Sequence, residues 1–217
     1  MSQYKTTVTD LLKNCLLALT LITVIGCSNT LEVEGDFPRP VINILPLTVG
    51  VVYNEPFKTY RYVEQEEERN DWEISIGRAQ MKLFNTVLPA MFSKVIGVPE
   101  INASSEDVVD LFFEPSVEEF QFNVPEETKI KMYEVWIKYN MKVYDARGSL
   151  LADWIITAYG KTPTEFMKSD KTALNEALII ALRDVGAGLS LRFRHVPEIQ
   201  AWMGQRGKVH QTLVVQP

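Results

Sequence analysis

Residues 129–145 alternate in side-chain character more strictly than any other stretch of this chain. Tyr133, Val135, Ile137, Tyr139, Met141 and Val143 fall on one side of an extended backbone. Glu134, Trp136, Lys138, Asn140 and Lys142 fall on the other. Successive side chains of a strand point to opposite faces, so the pattern specifies a strand with one packed and one wet face. Asp145-Ala146-Arg147-Gly148 then reads as a turn with Gly at its end, and residues 149–160 as the return strand of a hairpin. The packed face of such a hairpin needs a second layer to cover it.

Two segments have the periodicity to supply that layer. From about Glu73 to Val95, Ile76, Leu83, Phe84, Val87, Leu88, Met91, Phe92 and Val95 keep the three-to-four spacing of a helix, with Asp71 as N-cap and a kink or break expected at Pro89. From about Lys171 to Phe193, Leu174, Ala177, Leu178, Ala181, Leu182, Val185 and Leu189 form a second buried stripe, with Asp170 available to cap it. Gly186 and Gly188 lower the helix propensity there and allow close packing on the sheet. Val41 to Val52 is a nearly continuous apolar run, a buried strand whose Pro46 asks for an edge or a bulge. Val108 to Glu114 and Val117 to Val124 read as strands flanking a bulge or a bend at Pro115. The order is β-α-β-β-β-α. It predicts an α+β fold: a mixed, mainly antiparallel sheet with two helices packed on one face.

The N-terminus has a different logic. Lys5 and Lys13 precede an uncharged run from Cys15 to Ile25, too short to cross a bilayer as a helix but of the length of a signal-peptide core. The run ends Val24-Ile25-Gly26-Cys27. These four residues resemble the lipobox of bacterial lipoproteins. The resemblance implies cleavage before Cys27, a diacylglyceryl group on its thiol and acylation of the new amine, giving a membrane anchor. Ser28, not Asp, follows, which by the same resemblance favours the outer membrane with the domain on the periplasmic side. The expected division is a signal peptide (1–26), a lipidated polar tether (27–40), a single α+β domain (41–195) and a polar C-terminal tail (196–217).

Composition narrows the function. The formal net charge is −6 over 217 residues, and the first 26 carry Lys5, Lys13 and Asp10, which leaves −7 on the rest. A chain so acidic lacks the basic footprint of a nucleic-acid binder, and its net charge would not draw it to an anionic membrane. The two cysteines are Cys15 and Cys27, so nothing beyond Cys27 offers a disulfide or a cysteine metal site. His195 and His210 are 15 residues apart, without the helical spacing of a zinc pair. No nucleophile elbow, P-loop or dinucleotide fingerprint occurs. The expectation is a non-enzymatic protein with no metal and no cofactor.

Candidate binding residues are therefore aromatic. Residues 54–72 include Glu64, Glu66, Glu67 and Glu68, the composition of a solvated loop; alternatively this is a docking loop with Tyr60, Tyr62 and Trp72 as anchors. Trp136 interrupts the wet face of its strand and Trp154 lies in the neighbouring strand. Pointing the same way, they would pair across the hairpin on the side away from the helices, as a partner surface or a second small core.

With the lipobox, the element order over roughly residues 41–194 resembles a group of Gram-negative lipoproteins: the ABC-transport auxiliary, LPS-assembly and curli-type secretion lipoproteins. That resemblance implies an accessory lipoprotein of an envelope transport or assembly machine, bound to the membrane through Cys27 and to an envelope protein partner. The alternatives are a lipid- or glycan-binding periplasmic carrier and a subunit of an oligomeric secretion ring, that is, a homo-oligomer.

Overall fold

The structure, a computed structural model, describes residues 29–64, 71–102, 109–127, 131–164 and 169–214, with side chains described as far as Arg206. The strands are β1 (Asn29–Glu32), β2 (Leu45–Val51), β3 (Arg61–Glu64), β4 (Trp72–Ser75), β5 (Phe92–Gly97), β6 (Leu111–Asn123), β7 (Met132–Asp145) and β8 (Leu150–Pro163). The α-helices are α1 (Glu55–Lys58), α2 (Gly77–Met91), α3 (Asp170–Arg192) and α4 (Pro197–Val214). Five strands form the main sheet in the order β5-β2-β6-β7-β8, and β1-β4-β3 form a second, smaller one. β2 runs parallel to β5 and β6, while β6, β7 and β8 are antiparallel. The fold is thus α+β with a mixed, mainly antiparallel sheet.

The hairpin forms as its alternation requires. Tyr133, Val135, Ile137, Tyr139, Met141 and Val143 are all buried. The turn is closed by Asp145, whose carbonyl accepts from Gly148 and whose carboxylate accepts from the backbones of Arg147 and Ser149. Gly148 has φ +81, a left-handed conformation that glycine adopts without penalty. Every apolar position of the predicted α3 stripe is buried, and Ser169 rather than Asp170 provides the cap, accepting from the Thr172 amide. α3 lies so close on β8 that a Cβ at Gly160 would sit 2.0 Å from the Ala177 carbonyl oxygen. Gly188 packs beside Ile156 of β8, whereas Gly186 faces Leu83 and Val87 of α2.

A buried polar bridge locks the helices to the sheet. Tyr139 of β7 donates to the Gln80 side chain at 2.8 Å, and Gln80 of α2 in turn donates to the Phe57 carbonyl of α1. The rings of Phe57, Phe84 and Tyr139 pack edge-on around it. Burial without a partner would cost each of these groups ~1–3 kcal/mol, so the bridge fixes one mutual placement.

Several boundaries differ from the sequence expectation. The first long helix is shorter than 73–95 because its flanks are strands, β4 before it and β5 after it. Pro89 does not break the helix at once; the helix runs on for two residues and ends at Met91. Pro115 is accommodated inside one continuous β6, opposite Met141, and the register shift falls at Val117/Glu119. Pro46 does accompany a register shift, between Leu45 and Thr48.

The expected tether (27–40) and polar tail (196–217) are structured where described. Leu31, Val33 and Phe37 are buried, Glu34 exchanges two hydrogen bonds with Asn175, and Arg183 donates to the Asp36 carbonyl. Residues 33–40 therefore lie along α2 and α3, because every second residue from 31 to 33, and then Phe37, is apolar and points inward. The tail contains α4, held by buried Ile199 and by the Arg206–Asp110 ion pair at 2.6 Å.

Two substitutions test this packing. Gly160→Ala is expected to cost about 1–3 kcal/mol and lower Tm by roughly 2–10 °C, with Gly188→Ala much milder. Phe37→Ala should cost about 3 kcal/mol in chemical denaturation, whereas a free tether would register nothing.

Candidate functional site

The helices cover one face of the main sheet and leave the other uncovered over β6, β7 and β8. The wet positions of β7 point there, together with Glu114, Glu119, Gln121 and Asn123 of β6 and Ile155, Thr157 and Tyr159 of β8. At the β2 end the same face is closed by Val109, which packs near Gly50 and Phe112.

Trp136 is the centre of the open part. It pairs with Gln121 on one side and Tyr159 on the other, and the Trp136 and Tyr159 rings lie 5.2 Å apart with 36° between their planes. The side chains around them are paired among themselves. Lys138 contacts Glu119 at 2.6 Å, Gln121 donates to the same carboxylate, and Tyr159 donates to Glu134. Further along, Tyr144 donates to Glu114 at 3.0 Å. A depression of about 310 Å³ opens between Glu119, Gln121, Asn123, Trp136, Lys138 and Thr157. Its chemistry is that of a binding surface: an aromatic plane, a neutralised ion pair and amide and hydroxyl groups able both to donate and to accept.

The electrostatics follow from these pairs. The Lys138 hydrogen bond and charge hold the Glu119 carboxyl below its ordinary range, and Glu119 raises Lys138. The hydrogen bond to Glu134, aided by burial, pushes the Tyr159 phenol up to about 12. Burial and then the Glu114 hydrogen bond do the same for Tyr144. Among the described residues no group of three His, Cys, Asp or Glu side chains could hold a metal ion, and no helix is long and apolar enough to cross a membrane.

The structure separates the sequence candidates. Trp154 does not join Trp136: it stands opposite Met141 on the helix side and packs edge-on against Phe193, 6.1 Å between centroids. The reason is a register shift between Val143 and Tyr144, since a one-residue slip reverses every side chain of a strand. Trp72 is buried against Phe122, and Tyr60 and Tyr62 are half-buried around Phe120. These three line the seam between the two sheets and are not exposed anchors of a docking loop; residues 65–70 of that loop lie outside the described residues. Cys27 also lies outside them. Sequence reasoning missed Tyr159, although its place in an alternating strand marked it as lying on the side opposite Ala158. It also missed the exposed apolar Val41, Ile44 and Leu191, of which Val41 and Leu191 border a groove between α2 and α3.

The sequence matches no family model and no curated protein. Solved structures with a related course of the chain include a Xanthomonas campestris protein of the DUF330 family, at 13% identity and TM-score 0.49, covering 76% of this chain and 91% of that one. A minor lipoprotein from Acinetobacter baumannii is similar at 8% identity and TM-score 0.39, over 71% of this chain and 97% of that one. Lipoprotein B from Nitrosomonas europaea is similar at 11% and 0.37, over 72% and 88%.

The Tyr159 phenol supplies a test of the geometry. Its folded-state value of about 12 lies above the ordinary 10.0, so the stability it contributes is complete below pH 10 and is lost as pH rises toward 12. Glu134→Gln should move one tyrosine transition toward 10 in an ultraviolet titration; an unchanged curve would show that the Glu134 contact is not made.

Proposed function

We propose that this chain is a non-enzymatic accessory lipoprotein of a cell-envelope transport or assembly machine, anchored through Cys27 and acting by protein–protein binding at the periplasmic face of the outer membrane. The observation that carries the reading is the open sheet face around Trp136. Three long strands present there an aromatic pair beside the Lys138–Glu119 ion pair, with Glu134 held by the Tyr159 hydroxyl, so a protein surface that brings a cationic or hydrogen-bonding group to Glu134 can cover it. The anchor supports the same reading. The lipobox cysteine precedes β1 by two residues, and two residues of chain reach ~7 Å at most. A domain held so closely works at the membrane surface.

The depression beside Trp136 favours one second reading, a glycan-binding periplasmic carrier, because an aromatic plane with Gln121, Asn123 and Thr157 beside it suits a sugar ring. The two readings separate experimentally. A photo-crosslinking residue at 136, introduced in the native host, should yield one discrete protein adduct that is absent when the crosslinker is at 187; a glycan adduct instead would favour the carrier, and no adduct of either kind would count against both. The anchor is tested independently. Intact mass of the wild type should show the acyl groups, and Cys27→Ala should lose them and leave the outer-membrane fraction. An unchanged mass and membrane fraction would overturn it.

A further inference from the structure

The helix layer carries a second surface whose character is hidden by the net charge. Residues 37–54, 74–99 and 185–197 contain no Asp or Glu, in a chain of net charge −6. Parts of these three segments converge on a groove of about 280 Å³ between α2 and α3, with Ile42, Leu83, Val87 and Leu191 among its walls. Its lining exposes large apolar side chains: Val41 is 101% exposed and Leu191 65%. Arg39, Arg183 and Arg194 stand around it, donating to the backbone carbonyls of Pro89, Asp36 and Asn43. None of the three forms an ion pair with a described carboxylate. Of the acids beside Arg183, Asp36 is paired with Lys82 and Asp184 accepts from the Tyr159 amide. The result is a cationic, apolar face on an acidic protein.

We propose that this face docks on an anionic lipid bilayer, with Val41 and Leu191 entering the interfacial region and the arginines meeting lipid phosphates. Charge complementarity and unpartnered apolar side chains are the two features such docking requires. The course of the chain agrees with it. Residues 33–40 run along the outside of α2 and α3, from the Glu34–Asn175 contact toward Leu191, about 24 Å further along α3 at ~1.5 Å per residue. Glu34 therefore lies at one end of this face and the apolar groove at the other, so the chain that leads from the anchor runs along the face that would lie on the bilayer. The open sheet face then points away from the bilayer, toward a partner. The inference rests on the Cys27 anchor for its setting but not for its measurement.

The mature chain would have no thiol but Cys27, so a single introduced cysteine can be labelled in the lipidated protein. Val41→Cys, Leu191→Cys and, on the open face, Asp153→Cys would each carry an environment-sensitive fluorophore, and the protein would be reconstituted in vesicles of phosphatidylglycerol and brominated phosphatidylcholine. Labels at 41 and 191 should be quenched at least about twofold more than at 153, and the excess should shrink in brominated phosphatidylcholine alone and in high salt. Equal quenching at all three positions overturns the proposal. So does protection of 41 and 191 in native envelopes but not in protein-free vesicles, which would assign the face to a protein. Intact mass reads the anchor separately, and an unacylated protein added to the same vesicles still reports on the face.

Discussion

The pairing of β7 with β8 decides what each side of this protein is. The two strands are in register over almost their whole length, with Trp136 opposite Tyr159 and Met141 opposite Trp154. Side chains alternate with a period of two, so a slip of one residue would turn Ile156 and Ala158 outward and bring Thr157 and Tyr159 under α3. Gly160 makes that alternative untenable. It is the one position of β8 where the backbone of α3 comes too close for any side chain, and a slipped strand would place Lys161 or Tyr159 there. The register shift at Val143/Tyr144, next to the Asp145 turn, sets the slip at its native value.

From that register the rest is placed by contacts that tolerate little alternative. Tyr139 is at the centre of the buried face, and its hydroxyl can be satisfied only if Gln80 of α2 is beside it. Gln80 in turn needs the Phe57 carbonyl, which brings the short α1 turn into the core. The small sheet closes the remaining end, where Trp72, Tyr62, Phe120 and Phe122 pack ring against ring. The aromatic residues that look in sequence like exposed anchors are thus the mortar between two sheets. A second sheet of strands only four residues long has little core of its own and depends on them.

The parts legible in the sequence are those with long, uninterrupted periodicity. The alternation of β7, the Gly-ended turn and the α3 stripe each extend over enough residues for one exposed or apolar exception to be harmless. The short strands were not legible. β1, β3 and β4 lie in polar or acidic stretches, and each contributes only one or two buried side chains, such as Leu31 and Ile74, too few to make a period. The face assignment of Trp154 was not legible for another reason. It depends on a single extra residue at the turn, and parity is a property of the whole hairpin that no local pattern records. Trp136, whose own strand has an unbroken alternation, was assigned to the wet face from sequence and stands there.

Net charge misled in the same way that local pattern did, by averaging. The acids of this chain are unevenly spread: residues 64–73 hold six of them, whereas residues 37–54, 74–99 and 185–197, parts of which form the α2–α3 groove, hold none. Electrostatic attraction at physiological ionic strength acts over ~8 Å, much less than the width of a domain, so a surface responds to the charges within that distance and not to the total. An acidic protein can therefore carry a cationic face, provided its acids are held on the opposite side by structure. Here the sheet performs that separation. One of its faces is covered by helices with an apolar groove beside Arg39 and Arg183, and the other displays Glu114, Glu119 and Glu134 paired with tyrosine or lysine. Two chemically different surfaces thus lie back to back across one sheet, and neither draws on the other's residues.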